Sequence, residues 1–371
     1  RPHHARILMG EAAATRLAPR AAAAHLLERI TRRLPREVSL MEVCGTHTMA
    51  IHRHGIPDLL PGRLRLLSGP GCPVCVTATG FIDAAIGLSR KYGVTVATFG
   101  DLVRVPGTWR SLERRKAEGA DVVTVYSPLD AVSLAERRLD RQVVFLGVGF
   151  ETTAPTVALS VREAKRKGVR NFSVLVGNKL VPPALRALLQ DEEVNVDGFI
   201  CPGHVSTVIG ARAYEPIVDE FGVPCVVAGF EPVDVLAAVL WLVEMVVENA
   251  PRVRNAYTRV VTDDGNPAAL ECMYEVFDVE DSAWRGLGRI PASGLKMKEA
   301  YGKFDAQRRF DIEMEDVPDE SGCRCGDVLR GVIEPTECPL FDEGCTPQRP
   351  VGPCMVSSEG TCSAFYKYRR K

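Results

Sequence analysis

Between residues 38 and 250, short runs of β-branched and aliphatic residues alternate with stretches of helical periodicity. The runs 38–43, 64–67, 94–99, 122–126, 143–148, 172–176, 196–200 and 223–228 read as strands. Helices fall between them, as at 81–92, 156–167 and 233–249, and 21–30 reads as an amphipathic helix ahead of the first strand. Repeated strand–helix alternation predicts an α/β protein whose parallel sheets are covered by helices. Eight strands would close a (β/α)8 barrel, but two smaller doubly wound sheets are preferred. The reason is an internal echo: VVFLGVGFE at 143–151 and CVVAGFE at 225–231 each end a strand in Gly-Phe-Glu before a helix.

The pattern changes after Asn249. Residues 250–320 are mixed and charged, and from Cys323 onward the chain is rich in Gly, Pro and Cys with little periodicity. Such a segment buries little apolar surface and needs a metal to fold around. The expected organisation is an N-terminal helical extension over 1–37, α/β domains over 38–142 and 143–255, and a cluster-holding domain over 256–371.

Charge narrows the partners. The 46 basic and 47 acidic side chains leave a net charge of −1, so neither nucleic acid nor an anionic membrane surface is implied. The Arg- and Ala-rich N-terminus lacks a long apolar core of the secretory kind. The most apolar run, 233–247, contains Asp234 and Glu244 and is too short to span a bilayer. A soluble, cytoplasmic protein is expected. In that setting 12 cysteines, six of them between Cys323 and Cys362, point to metal binding or redox work rather than structural disulfides.

In parallel α/β sheets, ligands bind beyond the carboxyl ends of the strands. Cys44 follows the first strand in MEVCGTHT, and one helical turn would put it on the same face as His47. A soft thiolate with an imidazole suits iron, zinc or copper, although a buried Cys beside a helix-capping Thr reads equally simply. Cys72 and Cys75 form a C-P-V-C dithiol, taken to open a helix whose N-terminus makes the first thiol reactive. GFETTAP delivers Glu151, Thr152 and Thr153, and GFICPGHVST delivers Cys201, His204 and Ser206. Glu151 and Glu231 are cleft carboxylates or capping acids, His52 and His54 read as surface residues, and Cys225 and Cys272 read as core. Cys325, Cys338, Cys345 and Cys362 give C-x12-C-x6-C-x16-C, suited to a [4Fe–4S] cluster or to zinc. Spacing leaves open whether Cys323 replaces Cys325 and how the spare pair is used.

Taken together, MEVCGTHT, LSGPGCPVC, FGDLVRVPG, YSPLDA, GFETTAPT, PGHVSTVIG, VVAGFEP, WRGLGRIPASG, CGDVL, ECPLF and CMVSSEGTC resemble the HypD family of [NiFe]-hydrogenase maturation factors, over nearly the whole chain from about Met41. The resemblance implies two similar α/β domains around a cleft and a C-terminal [4Fe–4S] module. It implies a scaffold on which iron receives cyanide and carbon monoxide before transfer to the hydrogenase large subunit. Partners would be a small HypC-like chaperone sharing the iron and a HypE-like cyanide donor working with HypF. Cys44 would bind the iron with His47 beside it, and Cys72 and Cys75 would be the redox dithiol. Cys325, Cys338, Cys345 and Cys362 would hold the cluster, with Cys323 and Cys354 as an extra redox pair.

The expected role is a redox-active assembly scaffold rather than a turnover enzyme, monomeric apart from transient complexes. The alternatives are an iron–sulfur thiol–disulfide reductase acting on a protein, and a zinc-stabilised α/β protein with merely buried thiols.

Overall fold

The computed structural model describes residues 19–369 apart from residues 35, 92, 316 and 318–321. Most of the expected extension over 1–37, and Tyr92 at the end of one expected helix, thus lie outside the described residues. The strands are β1 (Val38–Glu42), β2 (Leu64–Ser68), β3 (Val94–Thr98), β4 (Val122–Thr124), β5 (Gln142–Gly147), β6 (Phe172–Val176), β7 (Gly198–Pro202), β8 (Cys225–Ala228), β9 (Val253–Asn255), β10 (Phe277–Trp284) and β11 (Gly288–Met297). No barrel closes among the described residues. One parallel sheet has the order β2-β1-β7-β8-β9, a second parallel sheet β4-β3-β5-β6, and β10 and β11 pair as an antiparallel hairpin.

The two sheets are wound alike. In each, the chain lays one strand, adds the next at its outer edge, then returns past the first to extend the other side. The Gly-Phe-Glu echo does not carry this likeness, because it follows the third strand of one winding (β5) and the fourth of the other (β8). Neither sheet follows a division of the chain at 142/143. The chain leaves the first sheet after β2, builds all of β3–β6, and returns for β7, so such a cut would pass through the start of β5.

Both sheets are covered on both faces, which is why β1, β3, β7 and β8 are buried at every position and read as continuous apolar runs. Helix Pro232–Val247 lies against one face of the first sheet, with helix Pro19–Arg33 packed on it and Arg29 paired to Glu244 at 2.8 Å. On the opposite face, Met41, Val43, Phe199 and Val227 meet Cys72, Cys75, Phe150 and Trp284, together with Cys325, Cys354 and Cys362 of the C-terminal segment.

The region after Asn249 is where sequence and structure part. β9 and the hairpin were not expected. In β10 only Phe277 and Trp284 are buried while the charged positions between them face solvent, so the apolar alternation that marks a strand is missing. The hairpin inserts Phe277, Leu295 and Met297 into the core of the second sheet, so residues 256–371 do not form a single cysteine module. Past Cys323 three short helices, Cys325–Leu329, Pro353–Val356 and Thr361–Tyr368, fold back, and the last packs on helix Gly45–Arg53 beyond β1.

Candidate metal and redox site

β1 ends in an acid and hands the chain to the thiol. Cys44 is the N-cap of helix Gly45–Arg53 in extended conformation (φ −150°, ψ 119°), and its sulfur lies against the amides of Thr46 and His47. Burial pushes the thiol up to about 12, so the free site holds it protonated, and a bound cation is what would favour the thiolate. Behind it, Glu42 accepts from the Cys44 amide at 2.9 Å and from Thr48 Oγ1 at 2.5 Å. Burial raises this carboxyl to about 7. The loop after β2 docks directly on Cys44: Gly45 donates to the Gly71 carbonyl at 2.9 Å, and a Cβ on Gly71 would collide with the Cys44 backbone. From the C-terminal segment Glu359 accepts from Thr46 Oγ1 at 2.7 Å, and there is no room for a side chain on Gly45 beside it.

His47 is fully buried and donates through Nε2 to the Gly229 carbonyl at 3.0 Å. Its Nδ1 is a bare acceptor with no protein partner, and burial lowers the ring to about 4, keeping it neutral. Phe230 lies between His47 and His204, with ring centroids 4.8 and 4.1 Å away. His52, expected at the surface, is buried instead against Phe365 of the C-terminal helix at 4.5 Å, because that helix covers this face; His54 is exposed as expected.

Cys72 and Cys75 sit in a tight turn, not at a helix start. The Cys75 amide lies 3.3 Å from Cys72 Sγ, whereas the following helix begins only at Thr79. No helix N-terminus therefore activates the pair, and burial pushes the Cys75 thiol up. Cys75 touches Cys72 on one side and Cys354 on the other; Cys354 touches Cys325, and Cys325 touches Cys323. Contacts between sulfurs thus run unbroken from the dithiol to the C-terminal thiols.

There Cys323, Cys325, Cys338, Cys345 and Cys362 line a small apolar pocket with Leu340, Phe341 and Met355. No three His, Cys, Asp or Glu side chains among the described residues converge tightly enough to hold a single ion. The thiols stand around a space instead. Val351 donates its amide to Cys345 Sγ at 3.3 Å, and a Cβ on Gly352 would collide with Cys323 Sγ. Cys325 is turned toward Cys354, whereas Cys323, Cys338, Cys345 and Cys362 neighbour one another.

The remaining sequence candidates fall elsewhere. Cys201 and Cys225 touch each other in the core between β7 and β8, and Ser206 is spent on the Pro202 carbonyl and the Tyr214 hydroxyl. Thr153 is an N-cap by position but makes no capping bond, and Glu231 forms a capping box with Asp234. Glu151 is buried beyond β5, where Oε1 accepts from the Val181 amide at 2.9 Å and Oε2 has no partner. Burial lifts this carboxyl from 4.5 to about 7. The unfolded chain loses the proton near 4.5 and the folded chain only near 7, so stability falls as pH rises through that window. The shift corresponds to about 3 kcal/mol. Glu151→Gln should therefore gain about that much relative to the parent between pH 4.5 and 8, read from urea midpoints at both ends.

Glu42 and Glu359 were missed by sequence reasoning. An acid at the last position of an otherwise apolar strand was a usable signal for Glu42. Nothing local marks Glu359, which reaches the site only by the fold-back of the C-terminus.

A family model described as "Hydrogenase formation hypA family" (HypD) matches residues 21–369. The chain is 48% identical over 343 residues to hydrogenase maturation factor HypD of Azotobacter vinelandii, covering 91% of this chain and 90% of the relative. It is 49% identical over 340 residues to HypD of Cupriavidus necator, covering 90% of each, and 46% identical over 351 residues to HypD of Escherichia coli K12, covering 94% of each. With likeness of that depth along both sheets and the cysteine-rich C-terminus, the chain belongs to the HypD family of hydrogenase maturation factors.

Proposed function

We propose that this maturation factor is the scaffold on which an iron ion, its cargo, acquires cyanide and carbon monoxide for a [NiFe]-hydrogenase. Cys44 binds the cargo as thiolate, and the bare Nδ1 of His47 is the nearby nitrogen that completes a soft, borderline donor set. Glu42, once ionised, and Glu359 oppose a free thiolate at Cys44, which favours a bound cation there. A HypC-like chaperone supplying a second thiol and a HypE-like cyanide donor, itself served by HypF, would meet the cargo at this helix N-terminus.

The observation that carries the redox half of the proposal is the unbroken set of sulfur contacts from Cys72 to Cys323. Cys72 and Cys75 become a disulfide by giving up two electrons and two protons. The same change at Cys325 and Cys354 is linked to it by thiol–disulfide exchange between the touching Cys75 and Cys354. These contacts support Cys325–Cys354 as the redox pair, where the family resemblance implied Cys323–Cys354. Cys323, Cys338, Cys345 and Cys362 fit a [4Fe–4S] cluster: they surround a space rather than a point, one sulfur accepts an amide hydrogen bond, and Gly352 leaves room beside another. When bound, the cluster supplies single electrons at a potential that such hydrogen bonds tune.

Anaerobic purification with iron, sulfide and zinc analysis tests this. About four irons and four sulfides per chain are expected. A single zinc with no sulfide would leave the C-terminus a structural knot and overturn the redox half.

A further inference from the structure

The geometry points to Asp234 and Arg259 as positioning residues for His47, acting through the backbone corner at residues 229–231; the inference rests on His47 serving the cargo iron as proposed above. Asp234 stands in the first turn of helix Pro232–Val247, an otherwise almost wholly apolar helix, and is 4% exposed. Both of its oxygens accept from Arg259, at 2.9 and 2.5 Å, and the carboxylate also faces the Glu231 amide at 3.4 Å, closing the capping box.

The corner is gripped from the other side as well. The Arg259 guanidinium lies 4.4 Å from the Tyr257 ring centroid, and Tyr257 meets Phe230 edge-on at 5.9 Å. Gly229 is wedged between Asp234 Oδ2 and the Tyr257 ring, where a Cβ would strike both. Arg259 thus reaches from Asp234 across Tyr257 and clamps the corner between the helix and the segment beyond β9.

That corner makes two of the contacts that orient His47: the Gly229 carbonyl accepts from Nε2 at 3.0 Å, and the Phe230 ring lies 4.8 Å away; the Ala228 carbonyl, at the end of β8, also faces the ring. The direction of a carbonyl follows from the dihedrals of its peptide, so whatever locks residues 229–231 also selects the tautomer of His47. With the carbonyl fixed, the proton stays on Nε2 and Nδ1 remains the lone-pair nitrogen. Release the clamp and the carbonyl turns, letting the proton redistribute between the nitrogens and spoiling the donor. Neither Asp234 nor Arg259 touches the cargo in this scheme.

Nitrogen-15 histidine spectra of the full chain, purified anaerobically without cargo iron, read the tautomer directly; loss of signals in His47→Gln assigns the ring. The parent should show Nε2 protonated and Nδ1 bare. Asp234→Ala and Arg259→Ala should shift His47 toward mixed tautomers while leaving His52 unchanged, and Asp234→Asn, which keeps an acceptor for Glu231 and Arg259, should restore most of the parent pattern. Should Asp234→Ala not fold, Arg259→Lys and Asp234→Asn carry the comparison. Retention of iron at Cys44 should fall about 10- to 100-fold in the alanine variants, the usual cost of losing a ligand's support. An unaltered His47 spectrum in Asp234→Ala and Arg259→Ala would overturn the inference, making the pair a helix cap and nothing more. If instead the spectra change as expected but the parent itself holds no iron at Cys44, the proposed iron function fails and the positioning of His47 stands.

Discussion

Cys44→Ala is expected to abolish hydrogenase maturation in cells lacking their own copy of this factor, while the purified variant keeps the iron and sulfide of its C-terminal segment. The expectation separates two roles that one chain combines. The Cys44 sulfur lies against the amides of Thr46 and His47 without forming a capping bond, so alanine takes only a weak contact from the start of helix Gly45–Arg53. The cost to folding is that of one small buried side chain, about 1 kcal/mol. On the proposed function the cost to cargo binding would be total, because Cys44 would supply the soft thiolate at the end of β1. His47 and the two carboxylates, Glu42 and Glu359, remain, but an imidazole and hard oxygens do not hold low-spin iron as a thiolate does. Cys44→Ser is the sharper control, since it keeps the shape and replaces sulfur with a hard donor. The competing reading, a thiol–disulfide reductase, predicts the reverse: Cys72, Cys75, Cys325 and Cys354 are untouched, so redox activity toward a protein substrate would persist and be sufficient. Maturation retained in Cys44→Ala, measured as hydrogenase activity in whole cells, would decide for the reductase.

The expectations that held were those written in local pattern. Eight strands and the helices between them were legible because fully covered parallel strands are continuous apolar runs, and the two-sheet arrangement was preferred over a barrel for a reason that turns out to be incidental. What local pattern cannot show is which strands neighbour one another. The insertion of β3–β6 between β2 and β7 leaves no mark in the residues of β2 or β7, so the cut placed at 142/143 divided a sheet. The hairpin β10–β11 was lost for the opposite reason: it has strand geometry but presents charged side chains to solvent over most of its length. At the site, Cys44, His47 and the dithiol were visible as chemistry-bearing residues at strand ends. His52 was misjudged because burial by the helix Thr361–Tyr368 comes from a segment more than 300 residues away in sequence. Glu359 and the contact of Cys325 with Cys354 were out of reach for the same reason, since both depend on how the C-terminus folds back.

Cys323→Ser and Cys325→Ser should therefore behave differently, although only one residue separates the two. By spacing they are interchangeable. By contact they are not, because helix Cys325–Leu329 begins at the second thiol and turns it toward Cys354, leaving Cys323 on the side of Cys345, Cys338 and Cys362. Gly352 marks the same side, since any side chain there would occupy the place of Cys323 Sγ. Cys323→Ser should lose most of its iron and sulfide, about four of each per chain. Because the proposed cluster would tie Cys323, Cys338, Cys345 and Cys362 together, its loss should also loosen residues 323–369, seen as faster hydrogen exchange there. Cys325→Ser should keep its iron and sulfide and its exchange pattern, yet fail to form the disulfide with Cys354 on mild oxidation, as thiol counting would show. Its maturation activity should fall as well, since the contacts between the dithiol and Cys323 are broken at their middle. The opposite assignment has an equally clear signature. If iron is lost from Cys325→Ser and retained in Cys323→Ser, then Cys325 is a cluster ligand that touches Cys354 directly, and any disulfide of Cys354 with Cys323 would have to form around it.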